Sequence, residues 1–391
     1  MKYGLLLLLV SLLCYSANSQ DFNLDNKAYR TISWQEFFER LNQNPGLVYF
    51  DIRTPGERSD TSQYRSYNQG KLKGAIETDF FEFGAYYPEY LKHKNDTIYL
   101  YCSHSRRSRL LAKQLADSSF ANVISINGGL SYLNSLPPEE IADREKYYSS
   151  NLKYSVVSPY FFIKNTGNTD LQYIDVRPDS VYDGISADER ENSFGRIDNV
   201  LHIPYDRIRD NLHLLIKDKN IILFDNYGEE APVAAEYLAS IGYNSSILLF
   251  GLDNLTGYIP AGEREILKTK YEVILPAELL EASKDTNTVI IDVRTVTEFT
   301  GTDTTEWKNA GRLKNAVNIP LTDISKDKLD LYKDKRIILY DIMMHDELYE
   351  FAEKMHGYGF RNFYLLAGGI FQLRWEIYNT EKRELLQLLA E

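Results

Sequence analysis

One pattern recurs three times along the 391-residue chain. In each copy an apolar run of strand length ends in Asp-x-Arg, with the aspartates at Asp51, Asp175 and Asp292. Successive copies are separated by roughly 120 residues, the length of an ordinary domain. A repeat of this length predicts consecutive domains of one architecture. We call the copies that contain these three aspartates the first, second and third repeats.

Further segments follow each Asp-x-Arg in the same order. A segment that begins with glycine comes first, then an apolar run that ends at Cys102, Asp225 or Asp341, and then an apolar run that ends in glycine. Between the last two runs, apolar residues recur at three- and four-residue spacing, which predicts a helix. Strands that alternate with helices indicate right-handed βαβ units. We therefore expect an α/β chain of three tandem domains, each a parallel sheet with helices on both faces.

Two charged, proline-containing stretches, 137–151 and 260–272, separate the repeats and are typical of linkers. They predict domains at 20–145, 146–265 and 266–391, after an N-terminal segment of different character.

Residues 1–19 have the pattern of a secretory signal peptide, with one lysine, an apolar run at 5–13 and small residues before a cleavage point after Ser19. The run is shorter than the roughly 20 residues that cross a bilayer. Lipid attachment at Cys14 is an alternative that the bulky Leu13 disfavours. We expect an exported protein, periplasmic or secreted, with no transmembrane segment in the mature chain.

The formal net charge is −12 at pH 7, and no local basic face is visible in the sequence. Nucleic acid is therefore excluded as a partner, and an anionic membrane surface is disfavoured. The six histidines show no metal-ligand spacing with cysteine or carboxylate residues, so no metal and no cofactor are expected.

Removal of residues 1–19 would leave Cys102 as the only cysteine of the mature chain. Paired cysteines normally become disulfides in exported proteins, so an odd cysteine indicates a reactive thiol or an intermolecular bridge. The alternative is an inert buried thiol, which packs as a small apolar side chain.

The neighbours of Cys102 favour a reactive thiol. The stretch YCSHSRRS begins at the end of a predicted strand and runs into a helix, and Arg106, Arg107 and Arg109 follow the cysteine. Ligand sites of parallel sheets lie at the carboxyl ends of strands. Loop amides and the helix N-terminus there form an anion cradle, and a thiolate is stabilised by the helix dipole and by the cations of Arg106 and Arg107.

Asp-x-Arg after a strand, the segment GKLKGA, and a strand that ends in Cys-x-x-x-x-Arg-Ser together resemble the rhodanese family of sulfurtransferases. The resemblance covers nearly the whole mature chain. It implies that Cys102 accepts a sulfane sulfur as a persulfide and passes it to cyanide or a thiol. It also implies that the loop Ser103, His104, Ser105, Arg106 and Arg107 holds that sulfur, and that Arg107 and Ser108 close the loop. Asp51 and Arg53 match a pair that we expect to be structural, tying the first strand to the loop region.

The length of the loop is informative, because Arg107 follows Cys102 by five positions, as in the sulfurtransferases this chain resembles. The related phosphatases carry one more residue to surround a tetrahedral phosphate, so phosphatase activity is the weaker interpretation. Arg106 and Arg107 resemble the basic loops of thiosulfate-using members. His104 and Ser105 stand where a glycine is usual.

In the second and third repeats, Asp225 and Asp341 replace the cysteine. A carboxylate cannot carry a sulfane sulfur, so both repeats are predicted to be inactive and to serve as structural or partner-binding units. The acidic residues that follow are expected to repel an anion from the cradle; they are Glu229, Glu230, Asp346 and Glu347.

The leading hypothesis is an exported sulfurtransferase, with a small anionic sulfur donor, most simply thiosulfate, and a thiol, a thioredoxin-like protein or cyanide as acceptor. The alternative is a binding scaffold of the cell envelope made of mostly inactive domains, in which Cys102 acts as a redox or persulfide sensor. His104 has two interpretations, a proton shuttle near neutral pH or an exposed loop residue that lends hydrogen bonds.

Overall fold

The computed structural model describes residues 29–141, 143–259, 265–380 and 382–390. The predicted signal peptide and Cys14 lie outside these residues. The described chain forms two compact units. The larger contains residues up to 275 together with 375–383, and the smaller contains 276–374 and the residues from 384 onward. No helix within the described ranges is long and apolar enough to cross a membrane.

The described part of the first repeat contains seven strands and six α-helices. Its strands are β1 (Arg30–Ile32), β2 (Val48–Asp51), β3 (Lys71–Leu72), β4 (Ile76–Glu77), β5 (Thr97–Tyr101), β6 (Asn122–Ile126) and β7 (Tyr148–Ser149). Its helices are α1 (Trp34–Gln43), α2 (Pro55–Arg58), α3 (Phe83–Leu91), α4 (Arg106–Asp117), α5 (Gly129–Ser135) and α6 (Arg144–Tyr147). Five of the strands form a parallel sheet in the order β1-β6-β5-β2-β4.

Helices cover both faces of this sheet. On one face, Trp34 and Phe37 of α1 and Leu130 of α5 pack in one apolar cluster. On the other, Leu111 and Leu115 of α4 pack in a second cluster. Successive residues of β5 alternate between the two clusters, as the two-residue period of a strand requires. This explains why the strand reads as a continuous apolar run.

The second repeat contains strands β8 (Ser155–Val157), β9 (Leu171–Asp175), β10 (Arg196–Ile197), β11 (Leu201–His202), β12 (Asn220–Phe224), β13 (Ser245–Leu248) and β14 (Leu267–Lys268). Its helices are α7 (Pro159–Asn165), α8 (Asp179–Tyr182), α9 (Glu189–Ser193), α10 (Ala231–Ser240) and α11 (Gly251–Thr256). The parallel sheet has the order β8-β13-β12-β9-β11, which is the order of the first sheet, strand for strand.

The third repeat contains β15 (Glu272–Ile274), β16 (Thr288–Asp292), β17 (Val317–Asn318), β18 (Arg336–Tyr340) and β19 (Phe363–Leu366). Its helices are α12 (Pro276–Ala282), α13 (Val296–Thr300), α14 (Lys326–Asp330), α15 (Asp346–Gly357) and α16 (Gly369–Asn379). Within the smaller unit, parallel strands follow the order β19-β18-β16-β17, again that of the first sheet. The predicted α/β fold class, with parallel sheets flanked by helices, is confirmed.

The Asp-x-Arg pairs are buried ion pairs that tie two of the repeated segments together. The Arg53 guanidinium donates to the Asp51 carboxylate at 2.7 Å and to the carbonyl oxygen of Gly70 at 2.7 Å. Burial would lower the pKa of Arg53, but the Asp51 carboxylate outweighs burial and raises it. Gly70 has φ +67°, a conformation that glycine adopts without strain.

The other two repeats build the same three-part contact. Arg177 binds Asp175 and the carbonyl of Gly195, and Arg294 binds Asp292 and the carbonyl of Gly311. In each repeat, the segment that follows Asp-x-Arg therefore begins with the glycine whose carbonyl oxygen the arginine binds.

Replacing Arg53 with methionine should lower the free energy of unfolding by about 3–5 kcal/mol, because it leaves the Asp51 charge buried without its partner. Urea denaturation followed by circular dichroism measures this change. The control is Lys113→Met, which breaks the exposed pair of Lys113 with Asp117 on α4 and should change stability by less than about 1 kcal/mol. Equal losses in the two variants would contradict this account.

Candidate active site around Cys102

Cys102 lies where strand β5 ends and the loop to helix α4 begins. Its side chain is buried, with an exposed fraction of 1%, and no disulfide partner is present among the described residues. The thiol lies 3.8 Å from the hydroxyl oxygen of Ser108, in the first turn of α4. The structure therefore brings together Cys102 and the residue that was predicted to close its loop.

Serine hydroxyls hold the shape of the loop. Ser108 donates to the carbonyl of Ser105 at 3.0 Å and accepts from Ser125 at 2.9 Å. Ser105 donates to the carbonyl of Ile126 at 3.3 Å. Ser105 has φ +72°, so a non-glycine residue adopts the left-handed conformation close to where the resembling family usually has glycine.

A second backbone segment passes directly against the loop. The amides of Leu130 and Ser131 donate to the carbonyls of Cys102 and Ser103, both at 2.9 Å. A Cβ atom on Gly129 would lie 2.4 Å from the carbonyl oxygen of Ser103. The glycine that ends the last apolar run is thus required by a close backbone contact at the site.

In the second repeat, the matching loop holds its own anion. The carboxylate of Asp225 accepts hydrogen bonds from the backbone amides of Tyr227 at 3.0 Å and Ala231 at 2.8 Å. It also accepts from the amides of Gly228 and Glu230. A charged group at this position is therefore surrounded by backbone donors, as in an oxyanion site.

The third repeat has the same arrangement. The carboxylate of Asp341 accepts from the amides of Met343, Met344 and His345 at 3.1, 2.5 and 2.7 Å. In the first repeat, Cys102 lies at the corresponding position, and its sulfur is 3.8 Å from the Ser108 hydroxyl oxygen. Because the first amides of a helix have no partner within it, we expect those of Arg107 and Ser108 to face this sulfur.

Arg107 adjoins the loop, and a carboxylate fixes its orientation. Its two terminal nitrogens donate to Glu57 at 2.7 and 2.6 Å, and one of them also donates to the hydroxyl of Ser103 at 2.9 Å. Burial opposes the charge of Arg107, but the pair with Glu57 outweighs burial and raises the pKa of Arg107. Burial likewise opposes ionisation of Glu57, but Arg107 and the hydrogen bonds from Thr54 together outweigh burial and lower the pKa of Glu57.

Glu57 was not identified from the sequence as a site residue, although a signal for it was present. Thr54 and Glu57 have the spacing of a capping box, and the structure confirms that box at the start of α2. The third repeat has the same box at Thr295 and Glu298. The recurrence of this pattern directly after Asp-x-Arg is the sequence signal that could have identified Glu57.

The other two arginines have different surroundings. Arg106 is exposed. Arg109 donates to the side chains of Asn127 at 3.0 Å and Asn379 at 3.1 Å, and to the carbonyl of Tyr378 at 2.5 Å. The side chain of Arg107 therefore contacts both the loop, at Ser103, and Glu57, whereas the side chain of Arg109 contributes to packing.

His104 is half-buried, so the interpretation as an exposed loop residue is wrong. Its Nε2 lies 3.0 Å from the hydroxyl of Ser131, and its ring packs against Tyr67 and Phe250. Burial and the neighbouring Arg107 cation lower the pKa of His104 to about 4. The imidazole is therefore neutral near pH 7 and unsuited to shuttle a proton there.

Removing the Asp225 carboxylate should destabilise the second repeat by at least about 3 kcal/mol, because several buried amide donors lose their acceptor. The test is Asp225→Ala, with stability measured by chemical denaturation. The control is Asp183→Ala, which removes a carboxylate from an exposed pair with Arg196 and should cost less than about 1 kcal/mol. If the first variant is as stable as the second, the carboxylate does not support the loop.

The sequence matches one protein-family model. The family model of the rhodanese-like domain matches residues 33–135 and 275–374, in the first and third repeats. A search of curated proteins finds no match.

Several solved structures are distantly similar. A thiosulfate sulfurtransferase from Pseudomonas aeruginosa is 14% identical over 90% of this chain and 66% of its own, with a TM-score of 0.23. This chain thus spans just under two thirds of that protein. A rhodanese-related protein from Thermoplasma volcanium is 21% identical over 27% of this chain and 96% of its own, with a TM-score of 0.22. A variant of EanB in complex with hercynine is 13% identical over 91% of this chain and 98% of its own, with a TM-score of 0.27.

The family assignment rests on the family model, since its two matched stretches together cover more than half of the residues. The chain belongs to the rhodanese-like family.

Proposed function

We propose that this protein is a sulfurtransferase that carries a sulfane sulfur as a persulfide on Cys102. Membership of the rhodanese-like family supports a role in sulfur transfer. The observation that carries the proposal is the position of Cys102, which stands where the loops of the second and third repeats bind a carboxylate with backbone amides. A negatively charged sulfur is the group that such a ring of amides stabilises.

The proposed reaction has two displacement steps. With thiosulfate as donor, the Cys102 thiolate attacks the outer sulfur, the bond between the two donor sulfurs breaks, and sulfite leaves with the electron pair. In the second step, cyanide or a thiolate attacks the outer sulfur of the persulfide, and the Cys102 thiolate leaves. Backbone amides and Arg107 stabilise the charge on sulfur in both steps.

The contacts of Arg107 define what it can offer a donor. Three of its five N–H groups are engaged by Glu57 and Ser103, so two remain for an anion. Because Glu57 offsets the charge of Arg107, the main contribution of Arg107 to donor binding is its directed hydrogen bonds. The exposed Arg106 adds long-range attraction for an anionic donor.

Export and the choice of acceptor belong to the same proposal. The signal-peptide pattern of residues 1–19 supports function outside the cytoplasm, with a thiol or a thioredoxin-like protein as acceptor. In the second and third repeats, Asp225 and Asp341 fill their own cradles, so we assign sulfur transfer to the first repeat.

Incubation with thiosulfate should add one sulfur atom to the protein, and cyanide should remove it. Intact-mass spectrometry measures both steps, and Cys102→Ser should gain no sulfur while keeping the parent's circular dichroism spectrum. A parent protein that gains no mass while Cys102 stays free and titratable would refute the proposal and favour the scaffold with Cys102 as a sensor.

Removing Arg107 should lower kcat/KM for thiosulfate by about ten- to a hundredfold, since a charge-assisted hydrogen bond contributes about 1.5–3 kcal/mol. The variant is Arg107→Ala combined with Glu57→Gln, so that no buried carboxylate is left unpaired.

The matched control for this variant is Arg106→Ala, which removes the adjacent, exposed cation and should change kcat/KM by less than about threefold, as expected for a screened surface charge. Equal effects of the two changes would mean that Arg107 acts only through overall charge.

A further inference from the structure

Three aromatic rings form a cluster beside the Cys102 loop. The ring centroids of Tyr67 and His104 are 5.6 Å apart, those of His104 and Phe250 are 5.2 Å apart, and those of Tyr67 and Phe250 are 6.3 Å apart. Tyr67 and His104 belong to the first repeat, whereas Phe250 belongs to the second. We call these three rings the aromatic cover.

The cover includes a residue of the Cys102 loop. His104 is two residues from Cys102, and its Nε2 lies 3.0 Å from the hydroxyl of Ser131, whose amide donates to the carbonyl of Ser103. Burial raises the pKa of Tyr67; the Arg107 cation opposes this shift, and the carboxylates of Glu57 and Glu229 add to it. With 1% of Cys102 exposed, a reagent reaches the sulfur only when neighbouring side chains move.

Glu229 of the second repeat fixes the turn that carries Tyr67. Its carboxylate accepts from the amides of Arg65 at 2.8 Å and Ser66 at 3.2 Å, and from the hydroxyl of Ser66 at 2.6 Å. Arg65–Tyr67 is a 3₁₀ turn, so these bonds satisfy donors at its start. Glu229 was expected to repel an anion from its own cradle; instead, it binds the first repeat.

The same loop of the second repeat also supports Phe250. Gly228, next to Glu229, approaches the backbone of Phe250 so closely that an added Cβ would lie 3.2 Å from the Phe250 Cα. Phe250 itself has φ +54°, a left-handed conformation that aims its side chain from the start of α11. One loop, kept in shape by Asp225, therefore fixes the aromatic cover at two points.

We propose that Glu229 is a positioning residue that holds the aromatic cover closed over Cys102 and so selects acceptors by size. The second repeat, inactive in its own cradle, then determines which thiols reach the cysteine of the first. Small acceptors such as cyanide reach Cys102 while the cover is closed, whereas bulky thiols react only after the cover opens. The inference relies on the proposed function only in taking Cys102 as the reactive atom.

The test is the rate of Cys102 alkylation by a small reagent, iodoacetamide, and a bulky one, fluorescein maleimide. The full chain carries Cys14→Ser, so that Cys102 is the only thiol. Glu229→Gln should raise the rate with the bulky reagent about tenfold, the effect of losing about one charge-assisted hydrogen bond, and should raise the rate with iodoacetamide less.

The matched control is Glu236→Gln. Glu236 also contacts Arg65, but through an exposed ion pair of 3.6 Å to the Arg65 side chain rather than to the backbone of the turn. We expect the Glu236→Gln variant to react with both reagents at rates within about twofold of the parent, because exposed ion pairs contribute little to stability. Equal rates in the Glu229 and Glu236 variants, both folded by circular dichroism, would overturn the proposal.

A second variant covers the case in which Glu229→Gln does not fold. Phe250→Ala shortens the cover from the other side and should shift the ratio of the two alkylation rates in the same direction; an unchanged ratio would overturn the proposal. Alkylation needs no sulfur donor. Loss of the thiosulfate-dependent mass gain would therefore refute sulfur transfer alone, and loss of the alkylation contrast would refute the cover alone.

Discussion

The buried contact of aspartate, arginine and glycine carbonyl determines where the loop of each repeat can lie. In the first repeat, the Tyr101 hydroxyl donates to Asp51 at 2.9 Å and accepts from the amide of Leu72 at 3.2 Å. Strands β2, β3 and β5 are thereby joined one residue before Cys102. Because a buried ion pair tolerates little change in geometry, the loop starts from a fixed point. In the third repeat, Tyr340 makes the matching bond with the amide of Leu313, at 3.0 Å.

The sequence was sufficient to predict the features that depend on local pattern. Apolar runs predicted parallel strands, and Asp-x-Arg, repeated three times, marked strand ends that the structure confirms at Asp51, Asp175 and Asp292. The Asp-x-Arg and the glycine of the following segment were both visible in the sequence. Their pairing was not predictable, because every residue has a backbone carbonyl and the residue type does not show which one accepts. Cys102 was placed correctly at a strand end, and its chemistry stays a prediction.

The site features that were missed arise from contacts between residues far apart in the chain. Glu57 and Arg107 are separated by 50 positions, and Glu229 and Ser66 by 163. Charge alone suggested that Glu229 acts on its own loop and that Arg106 and Arg107 both stabilise the thiolate. The tertiary structure gives these residues other partners, because a glutamate or arginine side chain is long enough to reach a neighbouring domain as well as its own loop.

Asp225 and Asp341 act as built-in ligands of their loops. A loop that carries its own anion needs no bound ion from solution, so its stability does not depend on the anions dissolved around it. The Cys102 loop lacks a permanent carboxylate, so a bound anion or a persulfide adds to its stability by mass action. The three repeats, alike in topology, would then differ in their thermal response to oxyanions in solution: the first would be stabilised, and the other two would be indifferent.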